Sequence, residues 1–138
     1  MAPLYKIACS NLGWTCNDAL LAKMEAANAA ELATLDEKIA VCEKDEGESE
    51  VREAYLARAD FYVRIGENAK AHAALEETFG KTVAIGLRLD LLLTKARVGF
   101  FFDDLKLIKA TIDRAKALLE TGGDWERRNR LKVYEAVF

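Results

Sequence analysis

Apolar residues recur along the chain at three- and four-residue steps, the spacing that lines up one face of an α-helix. The longest stripe reads Leu21, Met24, Asn28, Leu32, Leu35, Ile39 and Cys42. It predicts one long helix, capped by Asn17 or Asp18 and running to about Glu46. A short helix, Leu4 to Leu12, precedes it and closes at Gly13. The alanine-rich stretch Ala26–Ala30 thins the stripe, which predicts either a close neighbour or a local break. Gly47 reads as the left-handed stop within the acidic run Glu43–Glu50, and Ser49 as the N-cap of a helix Glu50–Ile65. On that helix Val51, Tyr55, Ala59, Tyr62 and Ile65 share a face, while Leu56 and Val63 lie towards another side. Both sides are therefore expected to be contacted.

Gly66 ends that helix, and Asn68 opens another through Ala71, Leu75, Phe79 and Val83 to Gly86, with Gly80 as a possible kink or fray. Leu87–Phe102 is the most apolar segment, and its Phe100-Phe101-Phe102 run reads as the buried end of a helix. Asp103 or Asp104 caps the next helix, which ends at Gly122-Gly123, and Asp124 caps the last, Trp125–Phe138. No strand pattern stands out. The predicted fold class is all-α.

The helices also have a rhythm. A helix ends near Gly66 and another returns; a second ends near Phe102 and another returns. The spacing from Gly66 to Asp104 lies within the period of about 34 to 47 residues of helix-pair repeats. Tyr55, Ala59, Tyr62, Gly66, Ala71 and Leu75 fall where a tetratricopeptide unit wants large, small, aromatic, turn, small and large residues, whereas Arg58, Thr78 and Val83 depart from it. The expectation is antiparallel hairpins stacked as a tetratricopeptide-like right-handed solenoid, with residues 1–46 forming N-terminal helices and 47–138 the repeats. An ordinary antiparallel bundle is the alternative. The last helix carries Trp125, Leu131, Tyr134, Val137 and Phe138 with no returning partner, so the repeats are expected to continue in a longer protein and this end to self-associate.

Composition narrows the chemistry. Of 138 residues, 51% are hydrophobic and 31% charged, which excludes a disordered tail, and a single proline suits helices. A net charge of −3 argues against nucleic-acid binding, and no apolar run approaches the ~20 residues that span a bilayer. The opening residues lack the basic-then-apolar pattern of a secretory signal. Three cysteines, Cys9, Cys16 and Cys42, have no CxxC spacing, so neither a zinc site nor a disulfide framework is expected and each reads as a small apolar residue. His72 has no metal-ligand pattern around it, and Asp103-Asp104 is better explained as a cap than as an acid–base pair. No nucleophile motif or phosphate loop is present, so no enzyme activity, metal or cofactor is expected.

One cluster invites a functional reading: Arg127, Arg128, Arg130 and Lys132, beside Trp125. Arginine forks suit carboxylates at protein interfaces, which makes these five residues candidate partner-binding positions. The competing reading pairs Arg127 and Arg128 with acids of the preceding helix and packs Trp125 at its helix start behind the Asp124 cap.

Three stretches carry a family resemblance: Gly47-Glu-Ser-Glu-Val-Arg-Glu-Ala54, Lys81-Thr-Val-Ala-Ile-Gly-Leu-Arg-Leu-Asp90, and Gly122-Gly-Asp-Trp-Glu-Arg-Arg-Asn-Arg-Leu-Lys-Val-Tyr134. They resemble the non-ATPase subunit seven family of the proteasome regulatory particle lid. Gly80, Leu87 and Asp104–Ile108 depart from that pattern. The resemblance implies tetratricopeptide-like hairpins leading into a PCI domain that nothing in this chain matches. It also implies a non-catalytic scaffold, in cytoplasm and nucleus, whose partners are other lid and regulatory-particle subunits and whose task is ubiquitin-dependent degradation. A signalosome-type PCI subunit is similar in architecture but not in the Gly122–Lys132 run. A stand-alone helical-repeat adaptor that binds a peptide is the other alternative.

Overall fold

The computed structural model describes residues 1–45 and 47–138. Among these the chain forms seven helices and no strand: α1 (Ala2–Leu12), α2 (Asp18–Asp45), α3 (Glu48–Ile65), α4 (Asn68–Gly80), α5 (Ile85–Phe101), α6 (Leu105–Thr121) and α7 (Trp125–Val137). It divides into two compact units, Met1–Glu77 and Thr78–Phe138, with the division inside α4.

In the first unit, the residues of the α2 stripe are the ones that turn inward. Leu21, Met24, Asn28, Leu32 and Leu35 are half-buried, and Ile39 and Cys42 are buried. Asn17 is the cap, its side chain accepting the Leu20 N–H at 3.0 Å. α2 runs unbroken through Ala26–Ala30, because α1 lies close there: the Met1 amino group meets Asn28 Oδ1 at 3.4 Å and Lys6 pairs with Glu25 at 2.5 Å. Small side chains let the two helices approach. The far end of α2 meets α3 in a cluster of Ile39, Cys42, Ala54 and Tyr55.

α3 is contacted on two sides. Tyr55 and Ala59 are buried on the expected face, and Ala54 and Phe61 bury a neighbouring stripe that periodicity had not singled out. α3 begins earlier than predicted. Gly47 is its N-cap, in extended conformation at φ −79°, rather than a left-handed stop for α2, and Ser49 lies inside the first turn. Two acids, Glu48 and Glu50, sit in that turn, where they complement the helix dipole. Glu46, the predicted last residue of α2, lies outside the described residues.

Gly66 closes α3 at φ 78°, a backbone conformation that costs a residue with Cβ about 1–2 kcal/mol. Space adds to the requirement: a Cβ here would meet Leu4 Cγ of α1 at 2.3 Å. Polar ties reinforce the packing. Arg58, whose place in the pattern a tetratricopeptide unit gives to another residue type, binds Asp36 of α2 at 3.0 Å and Glu77 of α4 at 2.6 Å. Tyr55 Oη donates to Glu43 at 2.6 Å.

α4 stops at Gly80, six residues short of the expected Gly86, and Val83 is exposed rather than part of an apolar face. The backbone bonding tightens before the stop, with Lys81 N–H on Thr78 O and Thr82 N–H on Phe79 O. Thr82 is almost wholly buried, its hydroxyl on Thr78 O at 2.7 Å and its own carbonyl accepting Arg88 Nε–H. These bonds hold the turn that starts α5, so Gly86 lies within the first turn of α5.

In the second unit α5 and α6 form a hairpin around Leu89, Leu92, Leu93, Ile108, Ile112, Ala115 and Leu119. Asp104 caps α6 by accepting the Leu107 N–H at 3.0 Å, while Asp103 takes the left-handed turn position at φ 56°. Phe100 and Phe102 are half-buried, but Phe101 is 68% exposed, so the triple-phenylalanine end of α5 is buried on one side only.

Gly66→Ala should destabilise the chain by about 2–4 kcal/mol, from backbone strain and the clash with Leu4. Gly80→Ala, with nothing within 4 Å of a built Cβ, should be neutral or stabilising by up to about 1 kcal/mol. Urea unfolding followed by circular dichroism separates the two. The hydrogen bond to Glu43, then burial, pushes the Tyr55 phenol up to about 12. Because the unfolded value is about 10, this contribution to stability is complete below pH ~10 and is lost as pH rises towards ~12. Phenolate absorbance, differenced against Tyr55→Phe, should show this late titration, and Glu43→Gln should bring it earlier.

Candidate protein-binding interface

α7 starts at a well-formed cap. Asp124 Oδ1 accepts the Arg127 N–H at 2.8 Å, and its other oxygen meets the Arg127 guanidinium. The backbone N–H and then the side chain of Arg127 hold the Asp124 carboxyl below the usual carboxylate range.

Arg127 also reaches α5. Its Nε and Nη2 donate to the two oxygens of Asp90 at 3.1 and 2.6 Å, a bidentate fork. Arg130 adds a longer contact to Asp90 at 3.4 Å. Hydrogen bonds from Asp90, then from Asp124, raise the Arg127 guanidinium above its ordinary range, so it stays charged. Gly86 makes room: a Cβ there would stand 3.1 Å from the guanidinium carbon. Arg127 therefore pairs with α5 and with its own cap, not with α6 as expected from sequence.

Three further contacts seat α7. Leu131 is buried in the unit's core, Tyr134 stacks on Phe100 with centroids 6.0 Å apart, and Glu135 pairs with Lys116 of α6. These contacts leave Arg128, Lys132 and Val133 facing outward. Arg128 and Lys132 border a groove between α6 and α7 of about 500 Å³, together with Lys116, Leu119, Glu120, Leu131 and Glu135. Trp125 is 80% exposed, which overturns the expectation that it packs at the helix start: the cap is made by Asp124 alone, and the indole projects from it.

The five predicted positions thus separate. Arg127 and Arg130 are turned to Asp90, whereas Arg128, Lys132 and Trp125 face out. Asp90 was not singled out from sequence, although a signal was there. It is flanked by Leu89 and Leu91, and a carboxylate within so apolar a run needs a partner. Other candidate chemistry finds a structural place. Asp103 and Asp104 shape a turn, Glu43 accepts from Tyr55, and His72 is half-buried on α4. Among the described residues no group of three or more His, Cys, Asp or Glu could hold a metal ion, and no helix is long and apolar enough to cross a membrane.

A family model described as 26S proteasome subunit RPN7 matches residues 17–138. The chain belongs to the 26S proteasome subunit RPN7 family. Over all 138 of its residues it is 47% identical to a 26S proteasome non-ATPase regulatory subunit 6 of Dictyostelium discoideum and 49% identical to the homologue in Arabidopsis thaliana, covering 36% of each. It is 37% identical to the 26S proteasome regulatory subunit RPN7 of Saccharomyces cerevisiae over 111 residues, 80% of this chain and 26% of that one. The chain spans about a third of the length of the first two relatives. The RPN7 match includes α2 to α7, and with them the Asp90–Arg127 fork.

Asp90→Asn should cost about 1–2 kcal/mol in urea unfolding, because it replaces a charged, half-exposed fork with one neutral acceptor and turns an amide donor towards Arg127. Arg127→Lys should recover little of the fork, since a lysine cannot donate in parallel to both oxygens. Arg130→Lys should be nearly silent.

Proposed function

We propose that this chain is the helical arm of a non-catalytic scaffold subunit of the proteasome regulatory particle lid. In this reading it supports assembly of the complex for ubiquitin-dependent degradation, in cytoplasm and nucleus. Membership of the RPN7 family over residues 17–138 is the observation that carries the reading. The relatives' names supply the rest of the warrant, since they describe non-ATPase regulatory subunits of the 26S proteasome.

The physical character of the chain fits such a role. Several of its acids and bases serve in caps, turns and interhelical pairs, and exposed apolar residues such as Phe101, Trp125 and Val133 stand on helix surfaces. On this proposal, residues 47–138 are tetratricopeptide-like hairpins whose edges meet neighbouring lid subunits. Trp125, Arg128 and Lys132 contact a partner, and Arg127 and Arg130 hold α7 in the orientation that presents them. An exposed tryptophan beside cations is the composition found in interface hot spots.

The test uses the full-length subunit, affinity-tagged in cells. It should co-purify with other lid subunits. The combined substitution Trp125→Ala, Arg128→Glu and Lys132→Glu should lower that recovery at least several-fold without loss of helical content. Full-length protein recovered free of any such complex would sink the proposal, and unchanged recovery of the triple variant would remove these three residues from it.

A further inference from the structure

We propose that Cys9 and Cys16 are a reversible thiol pair that closes to a disulfide under a two-electron oxidant of the peroxide class, locking the α1–α2 turn. The backbone brings them together. Tyr5 and Cys9 are four residues apart on α1 and so share a face. After Cys9 the chain turns at Gly13, φ 65°, and the Trp14 N–H returns to the Cys9 carbonyl at 2.9 Å. The Asn17 N–H then donates to Tyr5 Oη at 3.0 Å. Residues 14 to 17 thus fold back over the face that carries Tyr5 and Cys9, which brings the Cys16 side chain beside that of Cys9. Cys42 is placed differently, packed as an apolar residue against Ile39, Ala54 and Tyr55.

Exposure sets the order of events. Cys9 is 4% exposed, while Cys16 is half-buried and meets solvent first. The Cys16 sulfur attacks peroxide: the O–O bond breaks, an S–O bond forms, and water leaves with the thiol's proton. The Cys9 sulfur then attacks Cys16: the S–S bond forms, the S–O bond breaks, and a second water leaves. Two thiols are oxidised by two electrons and one peroxide is reduced to two waters. The neighbouring Cys9 side chain pushes the Cys16 thiol up, which keeps the thiolate scarce and slows the first step.

The test treats the 138-residue chain with hydrogen peroxide, blocks remaining thiols with an alkylating reagent and digests with trypsin. Cleavage at Lys6 and Lys23 places both cysteines in one peptide, Ile7–Lys23. That peptide should appear unalkylated and lighter by two hydrogens, and dithiothreitol should restore two alkylatable thiols. Cys42 should stay alkylatable throughout. Cys42→Ser should leave the closure intact; Cys16→Ser should abolish it and leave Cys9 as a thiol, with helical content checked by circular dichroism. Alkylation of both thiols after treatment, sulfinic acid at Cys16, or a bond to Cys42 or between chains would each overturn the proposal.

Discussion

Asp90 is the point on which the second unit's surface depends. α7 is polar along most of its length, and Leu131 is its one buried residue. A helix with so little apolar area to hide gains little from burial, roughly the 1.5–3 kcal/mol of one leucine. Its orientation must therefore come from directional contacts. The fork from Arg127 to Asp90 fixes the rotation of α7 at its start, and the Tyr134–Phe100 stack fixes it nearer its end. Once both are made, the outward placement of Arg128 and Lys132 follows from helical geometry, since each follows an inward-facing residue, Arg127 and Leu131, and cannot share its direction.

The first unit uses the same device. Arg58 ties α3 to α2 through Asp36 and to α4 through Glu77, and its guanidinium lies 5.2 Å from the Tyr55 ring centroid. Half-exposed pairs of this kind add little net stability, because solvent screens them and ordering the side chains costs entropy. Their larger effect is on geometry, as a planar fork is satisfied over a narrow range of helix positions. The apolar contacts in each unit supply cohesion, and the arginines select the register in which those contacts are made. That division of labour explains why Arg58 occupies a position that a plain repeat unit would fill differently.

How much of this could be read from sequence depends on the kind of contact. The α2 stripe was legible residue by residue, from Leu21 to Cys42, because a long helix with one buried face writes its contacts as a period. The Asp124 cap was also legible, and those at Asn17 and Asp104 to within one residue, being local bonds to an N–H three residues on. The boundary between α4 and α5 was not. Phe79 and Val83 continue the helical spacing, but the stop is made by Thr78, Thr82 and Arg88, and the last of these belongs to the next helix. Gly47 shows a different failure, since a glycine between two helices can end the first or begin the second, and only its φ distinguishes them. For the interface, the cluster Arg127–Lys132 was visible as composition. Its separation into inward and outward residues was not, because Asp90 lies far away in sequence.

That separation changes what a basic cluster means here. Read as composition, Arg127, Arg128, Arg130 and Lys132 form one positive patch that would attract any acidic surface. In the structure Asp90 and Asp124 neutralise much of Arg127, and Asp90 also draws on Arg130. The positive charge left exposed is narrower, with Arg128 and Lys132 bordering the α6–α7 groove beside the Glu120 and Glu135 carboxylates, on a helix that also exposes the Trp125 indole. A surface of alternating sign beside one large aromatic ring discriminates by position rather than by total charge, because a partner must match each charge where it stands or leave it unpaired. Such matching requires that α7 not rotate, so the fork at Asp90 is a condition of any selectivity this face has.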